Sequence, residues 1–246
     1  MDTPDSPAYP KSRSLLVHLR GHALLFDHKP AFQHEASAGV RLLFIVAGLE
    51  ALRLGVVRWF YPVVPLWVLV PALLGCALLS ARFIAGLRLS AVGFYPWHEW
   101  TATEKSYFVQ LLVIANTVFP LLFATRLQAI LAQPSALRTI ATVFLPYFFY
   151  GFYQEVVYRG FLQSELVRRW GGFVGILASN ALYTFGPLHW YYFSSRVSLA
   201  VPMFTSIFAI GLFFGVLFKR SGNLWMVAVI HGIGNAYIVG SLGPAR

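Results

Sequence analysis

The stretch Gly151-Phe-Tyr-Gln-Glu-Val-Val-Tyr-Arg-Gly160 sets Gln154, Glu155 and Arg159 inside a run of Phe, Tyr, Leu and Val long enough to lie in a bilayer. An ionised side chain near a bilayer centre costs about 2.5 to 3.5 kcal/mol on insertion scales, so such residues face a protein interior or a water-filled cavity and mark function. Glu155 and Arg159 are four apart. On a helix that spacing stacks them on one face, where the guanidinium offsets the carboxylate charge.

The rest of the chain reads as the same kind of protein. Of 246 residues, 58% are apolar, 17% aromatic and only 11% charged, and the mean hydropathy is +0.65. That is too apolar for an ordinary soluble domain. The net charge of +10 does not point to nucleic acid, because the 19 Lys and Arg are scattered at the ends of apolar runs instead of forming one patch. The single Cys76 leaves no disulfide framework, no CxxC metal pair and no evident cysteine nucleophile.

Residues 1–38 form a polar segment, expected to be cytoplasmic, in which positions 15, 16, 19, 23 and 26 trace the apolar face of a short interfacial helix. Its apolar runs are too short for a signal-peptide core, and no removed leader is expected. Residues 39–246 are expected to be one transmembrane domain. Seven apolar runs of bilayer-spanning length cover roughly 39–60, 62–82, 105–125, 137–166, 171–193, 198–218 and 222–242. The fourth is longer, as if its cytoplasmic end passes the membrane surface. Residues 86–100, mixed and Trp-rich, suit the headgroup level. The fold expected is an all-α polytopic membrane bundle of about seven spans, with membrane lipids as its surroundings.

Lys11, Arg13, Arg20, Lys29, Arg41, Arg82, Arg88, Lys105, Arg168, Arg169, Lys219 and Arg220 fall on one side of these spans. Arg53, Arg58, Arg126, Arg138, Arg196 and Arg246 fall on the other. Twelve against six puts the N-terminus inside and the C-terminus outside, as in a multi-pass protein of a bacterial inner membrane. No second domain, long linker or internal repeat is evident. Gly171 and Gly175, like Gly211 and Gly215, have the spacing of close helix contacts or of ordinary packing.

Two further runs carry polar residues. The fifth contains Phe185-Gly-Pro-Leu-His189, where Gly186-Pro187 loosens the helix just before a histidine, a break tolerated at membrane depth only beside a cavity or buried in protein. The seventh contains His231-Gly-Ile-Gly-Asn235, an imidazole and a carboxamide one turn apart, flanked by small residues that leave room for a substrate backbone. Singly, each has a structural reading: a hydrogen-bonded core histidine, a local ion pair, an amide bridging helices. Together, three spans offering such side chains point to one polar site. Glu50 and Arg53 read as a local pair, and Asn116 and Gln128 as packing.

A carboxylate and a histidine can deprotonate a water, while a second histidine and an asparagine donate to a developing oxyanion, which is the chemistry of amide hydrolysis. No GxSxG elbow and no HExxH helix appear. Glu155, His189 and His231 with a water also form a conceivable zinc set, so two ways of activating water stand side by side.

The three pieces resemble the EExxxR, FxxxH and HxxxN motifs of the CAAX-protease and bacteriocin-processing family of intramembrane glutamic endopeptidases, over about residues 147–237 and in the expected order. The resemblance implies a helical membrane fold with a cavity opening between helices; separately, no cofactor is expected, with zinc as the alternative. It also implies a water activated by the leading glutamate with the FxxxH histidine. Carried over, His189 partners the base, His231 and Asn235 stabilise the oxyanion, and Glu155 with Arg159 supports the site. The implied substrate is a lipidated protein or a peptide, cleaved near its C-terminus.

The leading position, however, holds Gln154, and an amide cannot take a proton from water at neutral pH. Either Glu155 has become the base or the chain is an impaired protease. Successive helical residues turn about 100° apart, so 154 and 155 address different parts of the cavity. Two rivals remain. One is a non-catalytic peptide-binding or immunity protein that keeps the cavity. The other is a transporter, disfavoured because the first half has no repeat-related counterpart of the polar residues.

Overall fold

The computed structural model describes residues 36–61, 63–189 and 200–240. The interfacial helix expected over 15–26 and the outer end of the fifth span lie outside them. Every regular element among the described residues is helical: α1 Ala36–Trp59, α2 Leu66–Leu79, α3 Ala102–Leu122, α4 Ala124–Leu131, α5 Ala136–Thr139, α6 Leu145–Glu155, α7 Ser164–Phe185, α8 Ala200–Ser221 and α9 Leu224–Gly240. Wider π-helical turns prolong α2 over Ser80–Ile84 and flank α6 at Ile140–Phe144 and Val156–Gln163. Short 3-10 turns at Leu89–Val92 and Trp97–Glu99 break up the Trp-rich connection.

Three helices are long and apolar enough to cross a membrane, Leu66–Ile84, Ala102–Leu122 and Ala200–Ser221, and α9 adds a shorter apolar one over Leu224–Ile238. The other expected spans fall short for reasons visible in their residues. Helix α1 carries Arg41, Glu50, Arg53 and Arg58, and the rod around α6 alternates between α and π pieces. Helix α7 breaks at Gly171 (φ 78°, ψ 171°). There a Cβ on Gly175 would run into the Val167 backbone, so the Gly171/Gly175 spacing closes a tight reversal of this segment on itself. Large apolar side chains on the outside, among them Phe44, Phe83, Leu121, Leu122, Phe173 and Val201, give the bundle the surface of an integral membrane protein.

One end of the bundle is tied together. Arg41 donates to the Ala85 carbonyl at 3.1 Å, and the Leu224 amide donates to the Gly93 carbonyl at 2.8 Å. Thr101 and Glu104 cap α3 reciprocally, and Asn223 Nδ2 reaches Glu104 at 3.3 Å. Glu165, wholly buried, accepts from Arg168 at 2.7 Å and from Arg169, and it leaves no room for a side chain at Gly39. The core runs through the middle, where Tyr153, Val156, Phe161, Leu217, Phe218 and Met226 are fully buried. Helices α6 and α9 cross so closely that a Cβ on Gly151 would lie 2.8 Å from the Gly232 nitrogen.

Candidate active site

The α6/α9 crossing brings the first and third motifs face to face. Glu155 is the last residue of α6, and from Val156 the chain widens into the π turn. Single π turns inside helices recur at functional sites. The widening is sealed by Ser164, whose hydroxyl donates to the Arg159 carbonyl at 3.2 Å. Glu155 and Arg159 share a face as their spacing predicts, with Arg159 Nε 3.4 Å from Glu155 Oε2 and both side chains buried. Arg159 also donates to the Gly211 carbonyl at 2.9 Å and lies over the Tyr183 ring, 4.2 Å from its centroid. A buried ion pair persists only when such additional partners meet its remaining donors and acceptors.

The other Glu155 oxygen accepts from His231 Nδ1 at 2.6 Å. A carboxylate only accepts, so that bond puts the hydrogen on Nδ1 and turns Nε2 toward the Tyr183 hydroxyl, 3.4 Å away. Phe214 stacks on the His231 ring at 5.4 Å. His189 follows the break predicted at Gly186-Pro187: α7 ends at Phe185, and the turn presents the histidine 6 residues after Tyr183. Its Nδ1 donates to the Tyr183 carbonyl at 2.9 Å, leaving the lone pair on Nε2, and its ring meets the Tyr183 ring edge-on at 4.8 Å.

Gln154 goes elsewhere, as one helical step requires. Its Oε1 accepts from Asn235 Nδ2 at 3.0 Å, one turn along α9 from His231. Gln154, Glu155, Arg159, His189 and His231 are all buried, and Asn235 is partly so. The six residues singled out from the sequence therefore form two adjacent layers, an amide pair and a carboxylate–imidazole pair, with His189 joined through Tyr183.

One expectation is corrected in part. Of the small residues beside His231, Gly232 leaves no space for a substrate backbone, because α6 fills it: a Cβ there would lie 2.7 Å from the Phe148 carbonyl oxygen. Gly211 and Gly215 do serve close helix contacts, since a Cβ on Gly211 would run into Asn180 and one on Gly215 into Ile176 and Gln163. Their carbonyls also accept from Arg159 and Gln163, at 2.9 and 2.8 Å. Glu50 and Arg53 do pair locally, at 2.7 Å. Sequence reasoning passed over Tyr183, the residue that touches Arg159, His189 and His231 at once. Its signal was slight, one phenol among 12 Tyr and 22 Phe.

Among the described residues no group of three or more His, Cys, Asp and Glu side chains gathers as a metal site. The donors of the zinc set instead each turn an atom to a protein partner: His231 to Glu155 and His189 to the Tyr183 carbonyl.

No curated protein and no solved structure matches the chain. A family model does, and it covers all three motifs from the turn before α6 to the end of the Asn235 face of α9. Over residues 136–237 the chain is similar to the family described as type II CAAX prenyl endopeptidase Rce1-like, whose model matches that stretch.

Proposed function

We propose that the protein is an intramembrane endopeptidase that hydrolyses a peptide bond near the C-terminus of a lipidated or membrane-inserted protein or peptide, at a rate reduced by Gln154. The observation carrying this reading is the pair of bonds between α6 and α9, Glu155–His231 at 2.6 Å and Gln154–Asn235 at 3.0 Å, with His189 linked to His231 through Tyr183. Glu155 Oε1 is held by His231, and Oε2, which makes no hydrogen bond within the protein, is paired with the Arg159 charge at 3.4 Å, so in this reading Glu155 stays ionised and orients His231 instead of taking the water proton. His189 Nε2, which carries the lone pair, takes it instead. As water oxygen bonds to the scissile carbon, the carbonyl electron pair moves to oxygen. Collapse then breaks the C–N bond, and the amine leaves with the proton from His189. The N–H groups of Gln154 and Asn235 that their mutual bond leaves over supply donors to the oxyanion. Twelve Lys and Arg on one side against six on the other support a cytoplasmic N-terminus.

The test is cleavage by the purified protein of a lipidated C-terminal peptide and of an unmodified one. Gln154→Glu is isosteric and puts a carboxylate at the leading position of the first motif, next to the Glu155–His231 pair, so it should raise the rate by about 10²- to 10⁴-fold. Glu155→Gln should lower it in either background. If instead the parent is fully active and Gln154→Glu slows it, Glu155 is the base. Loss of activity on chelation, restored by zinc, would move the chemistry to a metal-bound water.

A second reading, a peptide-binding or immunity protein, is favoured by Gln154, whose Oε1 is occupied by Asn235 and cannot take a proton. Binding of a peptide by the parent, with no cleavage by parent or Gln154→Glu, would establish it.

A further inference from the structure

Five buried side-chain atoms among the described residues make no hydrogen bond within the protein: Glu155 Oε2, Arg159 Nη1, Gln163 Oε1, Asn180 Oδ1 and Thr184 Oγ1. Each of their residues is 2% exposed or less. An unmet buried polar atom costs about 1–3 kcal/mol, and native interiors leave few of them. These five form a strip. Glu155, Arg159 and Gln163 succeed one another at four-residue steps along one rod, and Asn180 and Thr184 at the same step along α7. Tyr183, on the same α7 face, lies under Arg159. Asn180 Oδ1 and Arg159 both crowd Gly211, while Gln163 Oε1 lies against Gly215 one turn on. Asn180 Nδ2 and Gln163 Nε2 are already committed to the Phe208 and Gly215 carbonyls, so only their oxygens remain to be met.

What could meet all five is narrow. Four are oxygens, three of them neutral, and the fifth is a guanidinium N–H. A cation would serve the oxygens and repel Arg159, an anion the reverse. Water both donates and accepts, and buried waters typically make about three hydrogen bonds to such atoms. We propose that this strip is a water-binding column, running from the Glu155 carboxylate past Arg159 and Asn180 to Gln163, which holds a resident supply of water next to the hydrolytic centre. The proposal rests on the hydrolase reading for its purpose, and on the five atoms for its existence.

Thr184→Val separates the possibilities because it keeps the side-chain shape and removes only the hydroxyl. If the column is dry, deleting an unmet hydroxyl raises the melting temperature of the detergent-solubilised protein. If it holds water, the variant melts lower, since a bound water loses a partner. Gln163→Met melts lower in either case, because it also gives up the Gly215 bond, but if both open the same file the two together should cost less than their sum; strict additivity counts against the column. In whichever of the parent and Gln154→Glu cleaves peptide, Thr184→Val should reduce kcat up to about tenfold, the scale of one hydrogen bond, with KM unchanged. An unchanged or raised melting temperature for Thr184→Val overturns the column. If no form cleaves any peptide, the hydrolase reading fails, yet the melting comparison still decides whether water is bound.

Discussion

Tyr183 holds three functional side chains by three different parts of itself: its carbonyl takes His189, its hydroxyl faces His231 and its ring carries Arg159. Those parts can be removed separately. Tyr183→Phe keeps the ring and the carbonyl and deletes only the contact to His231 Nε2, so peptide cleavage should fall by roughly 2- to 10-fold, as for one ordinary hydrogen bond. Tyr183→Leu also removes the cation–π contact, worth about 2 kcal/mol when desolvated, and should cost more in both rate and melting temperature. The hydroxyl's share is the difference between the parent and Tyr183→Phe, and the ring's share the difference between the two variants. Gln154, Glu155, Arg159, His189, His231 and Asn235 were legible because a charge or amide within an apolar run is too costly to leave without a polar partner. Tyr183 was not, because a phenol in such a run is ordinary.

At the scale of elements, the site depends on a helix crossing that only glycine permits. A methyl group at position 151 would meet the Gly232 nitrogen at 2.8 Å and the His231 carbonyl carbon at 2.9 Å, both backbone atoms that cannot swing aside. Gly151→Ala should therefore lower stability by about 1–3 kcal/mol, as overpacking does. Because α9 must move away from α6, it should also lose cleavage along with Glu155→Gln; a variant that melts lower but cleaves normally would show that the crossing has slack. The break at Gly186-Pro187 was readable from residue type, and α7 stops where those residues say. The π turn at Val156–Gln163 was not readable. Its sequence has ordinary helical residues, and the widening follows from where Arg159 and Gln163 find the carbonyls of α8.

For the whole molecule, the hydropathy pattern located the helices well and their membrane-crossing character less evenly, since charges in α1 and the broken rod around α6 dilute the apolar signal there. The end tied together by Gly93, Glu104, Glu165 and Asn223 also bears Arg82, Arg88, Lys105, Arg168, Arg169, Lys219 and Arg220, while Arg58, Arg126 and Arg138 lie toward the other. If this basic end is cytoplasmic, then in a Cys76→Ser background Arg88→Cys should resist a membrane-impermeant thiol reagent added outside intact cells, and Arg126→Cys should react. Both positions are exposed, so accessibility reports sidedness and not burial. The reverse labelling pattern would invert the topology.

The α6/α9 pairing also bears on how such a protein is made. Synthesis runs from the N-terminus, so Gln154, Glu155 and Arg159 enter the bilayer well before His231 and Asn235 have left the ribosome. Until α9 arrives, Glu155 has its arginine but not its imidazole, and Gln154 lacks its amide partner. If the hydrolase reading holds, the nascent chain sits among other newly inserted proteins with its site unfinished until the last motif has emerged.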